Sequence, residues 1–152
     1  MSNPAITDWR VCRVWLLGAS SGIGAALASG VLLRGARVAF SARNAERLNA
    51  VAADAERAVV LPCDAADEDG PRAAWATLLA TWSGVDLAIY VAADYLPMRA
   101  WGIDMPQARR MIDVNLVAAV VFARGVVPQL LRQKRGQIVR RDRRYIQRAK
   151  VL

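Results

Sequence analysis

The stretch "RVWLLGASSGIGAALASGVLLRG" (residues 13–35) decides the fold of this 152-residue chain. Its beginning, "RVWLLG", is an apolar run that a glycine ends, which is typical of a buried strand. Residues 22–35 repeat apolar residues at helical spacing, and Gly35 stands where a helix C-terminal cap is expected. The turn between them, "LGASSGIG" (17–24), is rich in glycine. A buried strand that turns directly into a helix predicts the first unit of an α/β fold.

The same alternation continues through the rest of the chain. Strand-like runs are followed by helical patterns, and Asn44 is placed to cap the second helix. The predicted strands are residues 36–42, 58–64, 85–91 and 136–139, and the predicted helices are residues 44–55, 71–82 and about 105–133. Nearly continuous apolar strands predict a parallel sheet that helices cover on both faces. With right-handed crossovers this is a doubly wound, Rossmann-type sheet of about five strands.

Three glycines suggest a ligand for the first turn. Gly18 would allow the tight turn, Gly22 the close approach of a pyrophosphate, and Gly24 the packing of the helix on the sheet. The amide groups and the positive end of the helix at Gly22 would then face the phosphates. A glycine turn without a ligand is the alternative. The order of strand, turn and helix favours a bound dinucleotide.

The end of the second predicted strand indicates which dinucleotide. Proteins that bind NAD commonly place an acid there, about 20 residues beyond the turn, to bind the ribose 2′-hydroxyl. Here the sequence is "FSARN", with Ala42 at the position of the acid and Arg43 after it. A guanidinium and the nearby Ser41 hydroxyl would bind a 2′-phosphate, so we predict NADP rather than NAD. The alternative is that Arg43 only solvates a helix N-terminus.

The third predicted strand ends in a carboxylate. The sequence "CDAAD" (63–67) places Asp64 at the edge of the sheet where ligands bind in this class of fold. Without the surrounding pattern, Asp64 would be read as an ordinary loop or helix-capping aspartate.

Composition excludes several classes of function. The chain has no histidine, which excludes a Ser-His-Asp triad and the usual zinc sites, and no metal site is predicted. Cys12 and Cys63 have no metal or redox spacing and are expected to be buried thiols of a cytoplasmic protein. The sequence lacks a signal-peptide pattern, and its longest apolar stretch holds polar breaks, so we expect a buried helix and no membrane span.

The positive charge is concentrated at one end of the chain. Residues 140–152 carry six basic side chains and one acid, whereas residues 1–139 account for only +3 of the net charge of +8. A nearly balanced body without base-reading motifs makes nucleic acid an unfavoured partner.

These motifs resemble those of the short-chain dehydrogenase/reductase family over about residues 11–139. "GASSGIG" is similar to the family's glycine motif, although Leu17 replaces its usual threonine. "MIDVNLVAAV" (111–120) is similar to the segment that carries the active-site asparagine, and "VVPQLLRQKRGQIV" (126–139) to the helix end and fifth strand. The resemblance implies an NADP-dependent oxidoreductase that transfers hydride between nicotinamide and a small-molecule carbonyl or alcohol.

The resemblance also assigns roles to individual residues. Asn115 would be the catalytic asparagine, Asp64 would contact the adenine, and Ser41 and Arg43 would bind the 2′-phosphate. The implied cofactor-binding residues are Gly18, Ser20, Ser21, Gly22, Ile23, Gly24, Ser41, Arg43, Asp64, Ala92 and Ala93.

Two departures from the family pattern bear on activity. Val91, Ala92 and Ala93 stand where the family has Asn-Ala-Gly, so backbone contacts to the cofactor remain but the asparagine's hydrogen bonds do not. In addition, Asp142 or Arg143 occupies the expected place of the catalytic serine.

The family's Tyr-x-x-x-Lys pair has no counterpart at its expected distance. In the family the tyrosine transfers a proton, and the lysine one helical turn later assists it. Tyr145 and Lys150 are five residues apart, about 500° of helical rotation, so they would point to different faces and we assign neither a catalytic role. We therefore expect a chain truncated after the fifth strand and inactive, with a non-catalytic dinucleotide-binding or interaction protein as the alternative.

We divide the chain into an NADP-binding domain, residues 1–139, and a basic tail, residues 140–152. Three interpretations of the tail stay open: out-of-frame sequence of a GC-rich gene, a basic appendage that binds an anionic surface, or a solvated terminus without a role. An uncovered edge of the fifth strand and an apolar helix surface near residues 114–131 predict association and poor solubility. A family-type homo-oligomer is in doubt.

Overall fold

A computed structural model describes residues 5–141 of the chain in full, and residues 146–150 as backbone. A short 3₁₀ turn, Trp9–Val11, precedes an alternation of strands and helices. The strands are β1 (Arg13–Leu17), β2 (Arg37–Ser41), β3 (Ala58–Val60), β4 (Leu87–Tyr90), β5 (Gln137–Arg141) and β6 (Ile146–Lys150). The helices are α1 (Gly22–Leu33), α2 (Ala45–Ala52), α3 (Asp69–Trp82), α4 (Met105–Ile112) and α5 (Ala118–Gln133), with a π-helical turn (Asp113–Val117) joining α4 to α5.

The strands form one sheet in the order β3-β2-β1-β4-β5-β6. Strands β1 to β5 pair in parallel, and β6 pairs antiparallel on β5. The chain moves outward from β1 to β3 and then returns to β4 on the other side of β1. The predicted doubly wound parallel sheet of five strands is confirmed. Its topological switch point, where such folds bind ligands, lies between β1 and β4.

Alternation along the strands divides the core between the two faces of the sheet. In β1, Val14 and Leu16 pack on the side of α1 and α2, whereas Trp15 and Leu17 pack on the side of α3 and α5. Trp15 stacks on Trp75 of α3 at 5.4 Å and lies 4.8 Å from the Phe122 ring of α5, measured between ring centroids. These four of the five β1 side chains are at most 1% exposed, as a strand covered on both faces requires.

The third strand, β3, is shorter than its predicted length. The predicted strand runs over residues 58–64, but the regular strand ends at Val60. Beyond it, Leu61 and Cys63 still donate backbone hydrogen bonds to the carbonyls of Phe40 and Ala42. Pro62 lies between them and has no N–H to donate. The chain therefore stays beside β2 up to the carboxyl edge of the sheet.

The far edge of the sheet differs from the expectation. The prediction that the fifth strand has an uncovered edge is wrong, because β6 pairs with it from Gln137 opposite Lys150 to Arg141 opposite Ile146. Residues 142–145, which include three positions considered for the active site, lie outside the described residues, as does the side chain of Lys150. Whether residues 140–152 are out-of-frame sequence stays a prediction.

One continuous helical segment, Met105–Gln133, is long and apolar enough by length and composition to cross a membrane. Core helices of soluble proteins pass the same test, and this segment packs on the sheet through Phe122, Val126 and Leu130, each at most 3% exposed. The predicted buried helix is thus buried along one face only, and 33% of an apolar 18-residue stretch of it is buried.

Candidate functional site

A cavity of about 740 Å³ opens at the carboxyl edge of the sheet, over the switch point. The residues that line it come from the loops after β1, β2, β3 and β4, from α4 and its π-helical turn, and from the end of β5. They are Leu17, Gly18, Ser20, Ser21, Gly22, Ile23, Gly24, Ala42, Arg43, Asn44, Arg47, Cys63, Asp64, Ala65, Val91, Ala92, Ala93, Asp94, Arg110, Val114 and Arg141. The structure therefore brings nearly all of the predicted cofactor residues to one cavity.

Two glycines of the β1–α1 turn allow the backbone to pack closely beside the cavity. Gly18 has φ +107°, and a Cβ there would collide with the backbone of Ala92. A Cβ on Gly24 would collide with the carbonyl oxygen of Gly18. The carbonyl of Ser41 accepts hydrogen bonds from the N–H groups of Gly18 (2.7 Å) and Ala19 (3.1 Å), which ties the turn to the end of β2. Only glycine fits these two positions in this arrangement.

The N-terminus of α1 is suited to bind anionic groups. Gly22 begins the helix with φ +53°, and the first hydrogen bond back to the turn is donated by Ala25 to the Ser21 carbonyl. The Ser21 side chain makes no capping hydrogen bond. The amide groups of the first helical residues have no carbonyl one turn earlier to bond, and the positive end of the helix dipole lies beside them. Because these residues line the cavity, a pyrophosphate fits here.

Ser41 corrects one of the predicted contacts. The side chain is fully buried, and its hydroxyl accepts a 3.0 Å hydrogen bond from the indole N–H of Trp15. Strand alternation places Phe40 against α1 and α2 and therefore turns Ser41 to the opposite face, away from the cavity. The prediction that the Ser41 hydroxyl binds a 2′-phosphate is wrong for this structure. Ser41 contributes to the site only through its carbonyl.

Two arginines stand at the rim of the cavity after β2. Arg43 and Arg47 are exposed and line the cavity, and Arg47 lies on the first turn of α2, which Asn44 caps by accepting from the Arg47 N–H at 2.8 Å. Neither guanidinium has an ion-pair partner among residues 5–141. Arg43 does lower the pKa of Asp64 through its charge, so it also acts across the cavity.

Asp64 is held by hydrogen bonds on both oxygens. Its Oδ1 accepts from the Ala66 N–H (3.0 Å) and its Oδ2 from the Arg110 guanidinium (3.1 Å). Burial by itself raises the pKa of Asp64, but these bonds together with the charges of Arg110 and Arg43 outweigh burial and lower the pKa below its ordinary value. Asp64 is therefore a carboxylate at neutral pH and an acceptor for a ligand's N–H.

Asn115 lies in the π-helical turn, behind the wall of the cavity. Its side-chain amide donates to the Asp94 carbonyl (2.6 Å) and accepts from the Asp94 N–H (3.1 Å), and it thus fixes the loop after β4. The Asn115 carbonyl accepts a 2.6 Å hydrogen bond from Arg140. In this structure the Asn115 side chain holds the backbone of the loop after β4. The catalytic role assigned to Asn115 from the resemblance stays a prediction.

Alanine side chains of the loop after β4 line the cavity. Ala92 and Ala93 line it, as predicted for the cofactor site, but the Ala92 N–H already donates to the Leu17 carbonyl at 2.9 Å. Nearby, the Tyr90 hydroxyl is buried and donates to the Val114 carbonyl, and burial raises the pKa of Tyr90 far above its ordinary value.

Four charged residues that line this cavity were not identified from the sequence: Arg47, Asp94, Arg110 and Arg141. The helical spacing of Arg43 and Arg47 is a signal that could have identified one of them. Asp94 and Arg110 belong to segments whose closeness depends on where α4 lies relative to the loop after β4, and no local pattern determines that placement.

Comparison with known proteins agrees with this geometry. A model of the short chain dehydrogenase family matches residues 13–140. The chain is 29% identical over 124 residues to an uncharacterized oxidoreductase of Staphylococcus aureus (strain USA300), and 28% identical over 123 residues to one of Staphylococcus epidermidis; each match covers 80% of this chain and 54% of the relative. The chain thus spans about half the length of the curated relatives it matches.

Two crystal structures share the fold over most of this chain. One is a short-chain dehydrogenase from Streptomyces avermitilis, with a TM-score of 0.79 and 26% identity over 85% of this chain and 48% of that one. The other is a short-chain type dehydrogenase/reductase from Mycobacterium marinum, with a TM-score of 0.80 and 25% identity over 88% of this chain and 56% of that one.

The family's members use nicotinamide dinucleotide cofactors, and the glycine turn, the open helix N-terminus and the carboxylate after β3 fit such a ligand. With a family match that covers residues 13–140, this chain belongs to the short-chain dehydrogenase family of oxidoreductases.

Proposed function

We propose that this chain binds NADP(H) in preference to NAD(H). The observation that carries the proposal is the pair Arg43 and Arg47 at the carboxyl end of β2, where no described carboxylate pairs with either. A 2′-phosphate would accept charge-assisted hydrogen bonds from two guanidinium groups, whereas a 2′-hydroxyl would leave both in water. The acids of the cavity wall, Asp64 and Asp94, are both paired with Arg110 and do not repel a phosphate strongly.

The remaining parts of the dinucleotide have candidate positions along the cavity. The pyrophosphate would bind the amides at the start of α1, from Gly22 to Gly24, and the adenine would lie beside Asp64. The nicotinamide would lie beside the loop of Val91 to Ala93. When bound, the nicotinamide supplies hydride transfer to or from a small-molecule carbonyl or alcohol.

We infer that Tyr90 and Cys63, near the cavity, do not transfer a proton to a substrate. Tyr90 is buried and bonded to the Val114 carbonyl, with a raised pKa, so its hydroxyl stays protonated and turned away from the cavity. Burial also raises the pKa of the Cys63 thiol. We therefore propose that the 152-residue chain binds cofactor without turning over alcohols or carbonyls. This is a non-catalytic dinucleotide-binding or interaction role, and the second candidate is an active NADP-dependent oxidoreductase of the family. Both cysteines are free and buried, which supports a cytoplasmic location.

The test of cofactor preference is Arg43→Ala. Loss of a charge-assisted bond of roughly 1.5–3 kcal/mol should weaken NADPH binding about 10- to 100-fold and leave NADH binding nearly unchanged, as measured by titration calorimetry. Arg37→Ala is the matched control, because Arg37 is also exposed on β2 but begins that strand, at the edge of the sheet away from the cavity. Equal affinities of the wild-type chain for NADPH and NADH would contradict the proposal.

The test of catalysis is a turnover assay on the same preparation. We expect NADPH binding in calorimetry and no change in NADPH absorbance above background with simple aldehydes, ketones or alcohols. Turnover above background would overturn the proposal.

A further inference from the structure

A single arginine joins the two carboxylates of the cavity wall. Arg110 lies in the last turn of α4, and its guanidinium bonds Asp64 Oδ2 through Nη2 (3.1 Å) and Asp94 Oδ2 through Nε (3.3 Å). All three side chains line the cavity and are between 22% and 35% exposed. Asp64 follows β3 and Asp94 follows β4. The bridge therefore connects two strand ends through a residue that belongs to neither strand.

The bridge continues into the turn that carries Asn115. Asp94 exchanges backbone hydrogen bonds with the Asn115 side chain, and its Oδ2 also accepts from Gln107 at 3.4 Å. Asn115, Gln107 and Arg110 therefore hold Asp94 in place. The second bond of Arg110, to Asp64, restricts that carboxylate as well. The separation between Asp64 and Arg110 is 46 residues in sequence, so the contact depends on the tertiary placement of α4 beside the loop after β3.

The two hydrogen bonds to Asp64 leave its carboxylate oxygens free to accept further hydrogen bonds from fixed directions. Each carboxylate oxygen can accept about two hydrogen bonds. Ala66 and Arg110 use one on each oxygen, and together they prevent the carboxylate from rotating. The acceptor positions that remain point in fixed directions from the wall of the cavity.

We propose that Arg110 is a positioning residue for the purine end of the nucleotide. It fixes the Asp64 carboxylate so that the remaining acceptor position receives the exocyclic amino group of an adenine base. The inference rests on the proposed dinucleotide function and adds the residue that sets base selectivity. A site built around such an acceptor discriminates against a base that lacks the amino group, because the acceptor then loses its hydrogen bond to the ligand.

The experiment compares NADPH with reduced nicotinamide hypoxanthine dinucleotide phosphate, in which an oxo group replaces the amino group. Titration calorimetry on the full chain should give wild-type binding of NADPH about tenfold tighter than of the hypoxanthine analogue, as expected from one hydrogen bond to a charged group. Arg110→Gln and Asp64→Asn should each reduce this ratio to about one. The double variant should show no further loss, because Arg110 acts through Asp64.

Arg109→Gln is the matched control. Arg109 is the preceding residue of α4, is exposed and has no ion-pair partner among residues 5–141, so the wild-type ratio should persist in this variant. If Arg110→Gln does not fold, the same binding ratio is measured for Arg110→Lys. A lysine retains the charge but cannot bond both carboxylates in the same planar geometry. It should also lower the ratio.

The outcomes separate the two proposals. Binding of NADPH with an unchanged ratio in the folded Arg110 variants, or with losses that multiply in the double variant, would overturn the role of Arg110 alone. Absence of both NADPH and NADH binding by the wild-type chain would overturn the proposed function and this inference together.

Discussion

Gly18 shows how one residue type controls the geometry of the cofactor turn. Its φ of +107° lies where side chains are strained, and any Cβ would also meet the backbone of Ala92. The collision is with main chain rather than with a flexible side chain, so neighbouring side-chain rotamers cannot relieve it. The requirement for glycine comes from both the turn and the strand beside it.

We expect Gly18→Ala to lower the free energy of unfolding by more than about 2 kcal/mol, since backbone strain and a main-chain collision add. Denaturant unfolding of the purified variant measures this. Gly125→Ala is the control: Gly125 lies inside α5 with open space around its Cβ position, so the same substitution should stabilise the chain by about 0.5–1 kcal/mol. A Gly18→Ala variant as stable as wild type would show that the turn can move away from β4.

At the scale of elements, an ion pair holds β1 to the start of β4 at the edge opposite the cavity. Arg13 bonds Asp86 through Nε and Nη2, each at 2.8 Å, and its backbone N–H donates to the same carboxylate. Both side chains are only 16% exposed, and Arg135 adds a third charge before β5. The pair thus joins three adjacent parallel strands at their N-terminal ends.

The ion pair predicts that part of the free energy of unfolding depends on pH. Burial by itself raises the pKa of Asp86, but the hydrogen bonds and charges of Arg13, with the charge of Arg135, outweigh it and hold the pKa below its ordinary value. A carboxyl whose pKa is lower in the folded than in the unfolded chain stabilises the fold above the unfolded value, near 3.9, and loses that contribution as pH falls through the folded pKa.

We expect Asp86→Asn to cost roughly 1.5–3 kcal/mol at pH 7 and much less near pH 2, as measured by urea unfolding at both pH values. Asp69→Asn is the control, because the Asp69–Arg72 pair is more than three-quarters exposed, and it should change stability by less than about 1 kcal/mol at either pH. An equal cost of Asp86→Asn at both pH values would mean that the cost does not come from the charge of the carboxylate.

The whole molecule exposes an apolar surface along α4, the π-helical turn and α5. Ile112, Leu116 and Val120 follow one another at intervals of four residues and are 54–61% exposed. An apolar strip of this kind favours association with another copy or with other apolar surface. The edge of β5, by contrast, is paired with β6 and no longer supports the predicted association through an open strand.

We expect the chain to self-associate with rising concentration and Leu116→Glu to shift it toward monomer, as measured by sedimentation velocity across a concentration series. Leu33→Glu is the control, because Leu33 is 88% exposed at the end of α1, apart from this strip. A wild-type chain that stays monomeric at every concentration, or equal effects of the two variants, would exclude this surface as the contact.

The features that the sequence determined are those with local causes. The alternation of apolar strands with amphipathic helices along the sequence predicts the order of elements. It does so because apolar residues recur at one period in a strand and at another in a helix. The glycine turn set the position of the site, because Gly18 and Gly24 are required by the backbone itself. Arg43 and Asp64 were identified since both follow strands directly, and parallel strands bring their carboxyl ends to one edge.

Tertiary packing decided which of these side chains face the cavity and what they bond. Ser41 adjoins the rim in sequence, yet strand alternation turns its hydroxyl beneath Trp15. Arg110 became part of the site because α4 brings it beside Asp64 and Asp94 in the loops after β3 and β4, which no local pattern encodes. The pairing of β6 on β5 likewise depends on a long-range register. The residues of a segment determine its hydrophobic period and its backbone freedom. The bonding partner of a side chain depends instead on where distant segments lie in the folded chain.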